Sequence, residues 1–298
     1  MTYFKIKGVI PPMVTPFNEA DEVDYEKHIF NVKKWGEYDI AGYLVLGSNS
    51  ETVYLTEEEK LELIKLTVEN KAEGKIVMVG SGMESTKETI SLTNKAGDLG
   101  ADCALIITPH YYGEKMNDQA LINYYTEVAD NCNIPILIYN VTKYTHVNIS
   151  PKAVSVLSKH PNIIGMKDSS GSVPQLVAFK AGVNMKEFNL MVGTAGIWYP
   201  ALTLGVEGSV LALVNCCPGE CVDVQKYYDQ DKEDESRELY ERMFPVNAAV
   251  TGKYGIAGLK YACDKLGLKG GLVRKPMLQL TDSEKEELDQ ILKTANLL

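Results

Sequence analysis

Lys167 closes the apolar run Asn162-Ile163-Ile164-Gly165-Met166 and is followed at once by the small polar stretch Asp168-Ser169-Ser170-Gly171. A lysine at such a junction can keep its amine in a dry pocket, where desolvation disfavours the ammonium and frees a nucleophile for imine formation. Most lysines that follow a strand are solvated surface charges, so the position alone does not carry the assignment and its neighbours must. Three other segments sit at similar junctions: Gly47-Ser48-Asn49-Ser50-Glu51, Thr108-Pro109-His110-Tyr111-Tyr112 and Tyr139-Asn140. The first is a turn whose hydroxyls, amide and backbone N–H groups can hold a carboxylate without a cation. An ordinary polar turn is the plain alternative for Ser48, and a packed core aromatic is the plain alternative for Tyr139. Together the segments supply an amine nucleophile, a phenolic proton shuttle and an anchor for an α-keto acid, which are the parts imine chemistry requires.

The elements that must bring these residues together are legible as a repeat. Short apolar runs at 8–10 with 13–14, 42–46, 76–79, 104–107, 136–139, 163–167, 190–192 and 208–212 alternate with helical patterns. One of those patterns opens on a capping box, Thr56 with Glu59, and others span 85–97, 117–131 and 150–159. Eight such repeats predict an α/β chain, a (β/α)8 TIM barrel, rather than a doubly wound sheet, which would show a Gly-rich phosphate turn after its first strand. Residues 1–213 read as the barrel core. Residues 214–298 read as a C-terminal helical region packed on the barrel, and the acidic run 229–235 reads as a solvated linker or helix start. In a barrel the carboxyl ends of all strands share one face, so Lys167, Tyr139, Tyr111 and Ser48 belong to one site.

Composition narrows the partners. The net charge is −10 and the pI is about 5.0, which argues against nucleic acid or an anionic membrane as a partner. The chain has three arginines, Arg237, Arg242 and Arg274, so its first 236 residues offer no guanidinium fork for a carboxylate. The six cysteines lack paired metal-ligand spacing, and the cluster Cys216, Cys217 and Cys221 has no accompanying histidine in sequence. His28, His110, His146 and His160 are scattered, so no metal and no cofactor are expected. Residues 1–7 carry charge without a following apolar segment, and no apolar run is long enough to span a bilayer. A cytoplasmic location is expected.

In this order and spacing the motifs resemble those of the dihydrodipicolinate synthase and N-acetylneuraminate lyase superfamily of pyruvate-handling class I aldolases. The resemblance extends to Val246-Asn247-Ala248 and Gly255-Ile256-Ala257-Gly258-Leu259-Lys260, and so to essentially the full length. It implies that Lys167 forms the imine, that Tyr139 is the proton donor and acceptor, and that Ser48 links Tyr139 to the phenol of Tyr111. It also implies that Ser48 and Asn49 bind the substrate carboxylate, that Ser169 faces the same pocket, and that Val210 presents its backbone carbonyl. Tyr111 would lie near a subunit interface, which implies a homo-oligomer, a dimer or tetramer. The substrates implied are pyruvate and an aldehyde.

Within that superfamily, members that condense pyruvate with aspartate semialdehyde usually carry an arginine where this chain has Tyr144, and a phenol cannot replace a fixed cation. The Gly-Ser-Asn turn, the Gly-Met-Lys-Asp-Ser string and residues 245–251 look closest to 4-hydroxy-2-oxoglutarate and 2-keto-3-deoxy-acid aldolases. The leading expectation is therefore cleavage of a 4-hydroxy-2-keto acid to pyruvate and an aldehyde such as glyoxylate. Alternatives are 4-hydroxy-tetrahydrodipicolinate synthase, N-acetylneuraminate lyase, a keto-deoxy-acid dehydratase, or a non-enzymatic keto-acid sensor. Three departures from the superfamily pattern stand out: Ser50 and His146 where glycine is usual, and Thr142 where proline is usual. Ser50 is expected to alter its turn if the position needs glycine's backbone freedom. Tyr144, His146 and His110 read equally well as the mouth of a pocket or as loop residues against a neighbouring subunit.

Overall fold

The computed structural model describes residues 4–298; residues 1–3, part of the charged start considered above, lie outside them. The strands are β1 (Gly8–Ile10), β2 (Gly42–Val45), β3 (Ile76–Val79), β4 (Cys103–Ile107), β5 (Ile136–Asn140), β6 (Ile163–Asp168), β7 (Asn189–Val192) and β8 (Gly208–Val210). They form one sheet in the order β1-β8-β7-β6-β5-β4-β3-β2. The two ends of that order are joined: Ala41 N–H donates to Val9 O at 2.9 Å, Leu44 N–H to Pro11 O at 3.0 Å and Met13 N–H to Leu44 O at 2.9 Å. A cyclic order of eight parallel strands is the (β/α)8 barrel that the alternating pattern predicts. β1 stops at Ile10 because Pro11 and Pro12 have no N–H to donate, and just beyond it the chain meets the second strand's residues through the isolated bridge Pro12↔Leu44.

The chain divides into two compact units. One comprises Ile76–Val210 with the described residues up to Lys7, and it contains β3 to β8. Its strands pair in register, with Leu137 opposite Gly165, Tyr139 opposite Lys167, Asn140 opposite Asp168 and Lys167 opposite Met191. Gly165 is required by this packing, since a Cβ there would lie 2.5 Å from Asn189 O. The helices Thr86–Asp98, Asp118–Asn131 and Pro151–Leu157 start on Ser85, Asn117 and Ser150, each of which accepts an N–H from the first turn. Their apolar faces bury Leu92, Tyr125, Val128 and Leu157.

The other unit comprises Gly8–Lys75 and Leu211–Leu298. After β8 the described residues form helices and turns, with Phe17↔Leu272 as an isolated bridge. Asn215 ties the segment after β8 to the segment after β1: its Oδ1 accepts from Val14 N–H at 3.0 Å and its Nδ2 donates to Pro12 O at 3.0 Å. The carbonyl of Asn215 takes the indole N–H of Trp35, a fully buried residue of the helix Tyr25–Gly36. The helix Glu57–Asn70 opens on the Thr56/Glu59 capping box read from the sequence. The acidic run resolves into the end of one helix, Pro218–Asp229, a left-handed Asp231 and the start of the next, Glu233–Asn247. Among the described residues no helix is long and apolar enough to cross a membrane.

Candidate active site

The pairing of β5 with β6 sets Tyr139 directly opposite Lys167, and partners in a parallel pair point to the same face. The Lys167 amine lies 4.2 Å from the centroid of the Tyr139 ring. The whole lysine is 4 % exposed. Desolvation lowers its basicity below that of an ordinary lysine, partly countered by electrostatic attraction and a hydrogen bond to Tyr139. A buried amine poised against a phenol can attack a carbonyl and exchange a proton with its neighbour.

Beside the amine the protein leaves space. A Cβ placed on Gly193, just after β7, would sit 2.6 Å from Lys167 Cε and 1.8 Å from Ser169 Oγ. Gly193 is held there by its N–H, which donates to Asp168 O at 2.8 Å. Ser169 Oγ is buried without a hydrogen-bond partner among the described residues. Such an orphaned hydroxyl is costly unless something binds it. Lys167, Tyr139, Ser169 and Gly193 thus converge at the carboxyl ends of β5, β6 and β7.

The opposite face of the same strand ends carries a network that sequence reasoning did not single out. Asn140 Nδ2 donates to Asp168 Oδ1 at 2.8 Å and to Asn148 Oδ1 at 2.9 Å, while Asn140 Oδ1 accepts from Ile149 N–H at 3.2 Å. Ser170 Oγ donates to Asp168 Oδ2 at 2.6 Å and Gln175 Nε2 to Asp168 Oδ1 at 3.3 Å. Because Asn140 and Asp168 each follow a candidate site residue, pinning them fixes the register of Tyr139 and Lys167. The available signal was their place in the two motifs, one residue after the tyrosine and one after the lysine.

Other residues read from the sequence fall as follows. Val210 is the buried last residue of β8. Tyr144 lies on the short helix Thr142–Thr145 and is 48 % exposed; partial burial and the Tyr139 phenol push its own phenol up. His146 ends that helix at φ 54, in the left-handed region where glycine is favoured. Tyr111 is 77 % exposed and packs edge-on against Tyr112 with ring centroids 4.9 Å apart. Its loop hangs on Glu84, whose Oε2 accepts the N–H groups of His110 and Tyr111, both at 3.0 Å, while Oε1 lies 2.8 Å from His110 Nδ1.

In the other unit Ser48, Asn49 and Ser50 form a 3-10 turn between Gly47 and Glu51. The expected distortion at Ser50 does not arise. Its φ is not positive, and its hydroxyl donates to Met13 O at 2.5 Å; the left-handed residues are Leu46 (φ 61) and Glu51 (φ 56). Arg274 is committed elsewhere, with a bidentate fork on Glu59 at 2.6 and 2.7 Å. The six cysteines are buried and free, and among the described residues no group of three or more His, Cys, Asp or Glu can hold a metal ion.

The pattern of the dihydrodipicolinate synthetase family matches residues 5–295. A 4-hydroxy-tetrahydrodipicolinate synthase of Methanoculleus marisnigri is 32 % identical over 289 residues, 96 % of this chain and 98 % of that one. One from Methanothrix thermoacetophila is 30 % identical over 96 % of both chains. Among solved structures, the dihydrodipicolinate synthase of Thermotoga maritima superposes with a TM-score of 0.93 at 26 % identity, covering 98 % of this chain and 99 % of that one. The chloride-inhibited enzyme of Acinetobacter baumannii in complex with pyruvate gives 0.92 at 27 %, covering 98 % and 100 %. These relatives are synthases, which shifts weight away from the hydroxy-oxoglutarate cleavage that the motif segments suggested. With eight strands in barrel order and a match along nearly its whole length, the chain belongs to the dihydrodipicolinate synthetase family of pyruvate-dependent class I aldolases.

Proposed function

We propose that this protein holds pyruvate as an imine on Lys167 and joins it to an aldehyde, in the manner of the 4-hydroxy-tetrahydrodipicolinate synthases it is similar to. The observation that carries the reading is the Lys167 amine, buried and made less basic by desolvation, against the Tyr139 ring. The neutral amine attacks C2 of pyruvate and the carbonyl oxygen leaves as water. The protonated imine then draws electrons from C3, which loses a proton to give an enamine. The enamine carbon attacks the aldehyde carbon, and Tyr139 supplies a proton to the resulting alkoxide. Hydrolysis of the imine returns Lys167. No cofactor is needed, because the imine is the electron sink.

In this proposal Ser48 and Asn49 bind the pyruvate carboxylate and Ser48 relays protons between Tyr139 and Tyr111. The unpartnered Ser169 hydroxyl faces the bound keto acid, and Val210 offers its carbonyl. Tyr144 stands where the aldehyde enters. The exposed Tyr111 and Tyr112 pair is assigned to an interface between copies of the chain, as a dimer or tetramer.

A second reading, cleavage of a 4-hydroxy-2-keto acid, is favoured by one observation. Tyr144 stands at the position of the usual aldehyde-binding arginine, and Arg274 is occupied by Glu59. The test runs two reactions beside Lys167→Ala: consumption of pyruvate with aspartate semialdehyde, and release of pyruvate from 4-hydroxy-2-oxoglutarate. Faster condensation supports the synthase reading, faster release supports the lyase reading. Pyruvate trapped by borohydride in Lys167→Ala as in the parent would refute the assignment of the nucleophile.

A further inference from the structure

We propose that the buried Glu51–Lys260 pair is a positioning device that holds the Ser48 and Asn49 turn in the shape that captures the keto acid's carboxylate. The inference rests on the reading above, in which that turn binds pyruvate. Lys260 Nζ lies 2.5 Å from Glu51 Oε1, and the two side chains are 1 % and 0 % exposed. Glu51 Oε2 accepts the backbone N–H of Arg274 at 2.8 Å. Lys260 Nζ also donates to Leu272 O at 2.6 Å and sits 4.5 Å from the centroid of the Phe17 ring. One carboxylate, immediately after the turn, is therefore tied to the helix Gly255–Lys265 and to the segment that follows it.

The pair acts through geometry rather than stability. The turn is bracketed by left-handed non-glycine residues, Leu46 at φ 61 and Glu51 at φ 56. A leucine and a glutamate persist there only when surrounding contacts over-determine the backbone. A buried ion pair is moreover a poor source of stability, because desolvation offsets much of the attraction and well-packed apolar residues of similar size do as well or better. Burial draws the Lys260 ammonium down to about 8 and pushes the Glu51 carboxyl up, so both partners bear that cost. What an apolar pair could not supply is a charge tether that, with the hydrogen bond Oε2 accepts from Arg274 N–H, fixes the Glu51 side chain and with it the left-handed backbone from which the turn is hung.

The experiment measures pyruvate trapped on the protein by borohydride, read by intact mass against pyruvate concentration, together with thermal melting by circular dichroism. The parent is compared with Lys260→Met, Glu51→Gln and the neutral, volume-matched Glu51→Gln/Lys260→Met. The expected result is a half-saturating pyruvate concentration raised at least about tenfold, with maximal trapping kept, in each folded variant. In the double variant the melting temperature returns towards that of the parent while half-saturation stays raised, which a merely structural role would not produce. A folded single or double variant with parental half-saturation overturns the proposal, and if a single variant fails to fold the double variant alone decides. Parental protein that traps pyruvate beside unmoved variants refutes the role of the pair only. Parental protein that traps none refutes the underlying reading and this inference with it.

Discussion

Gly193→Ala is the sharpest probe of the site, because the structure fixes what the added methyl meets. The new Cβ would lie 1.8 Å from Ser169 Oγ and 2.6 Å from Lys167 Cε, against ordinary contact beginning at 3.4 Å. The serine has a partial escape: its hydroxyl has no partner among the described residues, so rotation about χ1 moves Oγ away at small cost, while its Cβ, 3.0 Å from the new methyl, must give by a few tenths of an ångström. The lysine has none as cheap, since its amine is buried against Tyr139 and its strand is paired on both sides. Cε must retreat by most of an ångström and carry the amine off line. A displacement of that size costs about a hundredfold in rate, and overpacking of this kind about 1–3 kcal/mol in stability. The assay is the rate of pyruvate adduct formation under borohydride, with thermal unfolding measured on the same samples. The expected outcome is a folded protein, slightly less stable, with trapping slowed about a hundredfold. Trapping at the parental rate would mean that Lys167 is not held as described, and the geometric basis of the site would fail.

Tyr139→Phe should keep the adduct trappable while lowering turnover by about 10²–10⁴-fold, the usual worth of a positioned proton donor. Because both contributions of Tyr139 raise the lysine's basicity, their removal should also move the acid limb of adduct formation to lower pH; an unmoved limb would count against that contact. Tyr144→Arg should lower the KM for aspartate semialdehyde without changing pyruvate trapping, since a guanidinium offers the fixed fork a phenol lacks. If KM does not fall, Tyr144 does not face the aldehyde. His28 gives a pH-dependent stability test away from the site. Burial lowers its pKa from 6.5 to about 4, so the unfolded chain takes up a proton first as pH falls. The stability this group contributes is complete above about 6.5, is lost as pH falls through its window and is gone by about 4, a difference of about 3 kcal/mol. Denaturant unfolding at pH 7 and pH 4 should show that excess loss in the parent and not in His28→Gln.

The barrel was legible because it is written in period and punctuation. Runs such as 76–79 and 163–167 are short, apolar and bounded by turns, and the start of the helix Glu57–Asn70 is spelled out by Thr56 and Glu59. The meeting of Tyr139 with Lys167 was legible too, since the ends of parallel strands must converge. What the chain did not spell out depends on contacts between residues distant in sequence. Nothing local marks Gly193 as the residue that leaves room for an amine on the neighbouring strand. Nothing local links Glu51 to Lys260, more than two hundred positions away, and in the sequence each stands only as the last residue of its own motif segment. Ser50 and His146 differ in the same respect. Both stand where glycine is usual, yet only His146 occupies the left-handed region, because at the earlier turn that burden falls on Glu51. The position of a strained residue is set by which neighbour can tether it. At 146 the backbone N–H closes the short helix on Thr142 O at 3.0 Å, and at 51 the carboxylate is gripped by Lys260. A substitution that spares the local pattern but removes the tether should therefore disturb the turn more than one that alters the turn residue itself.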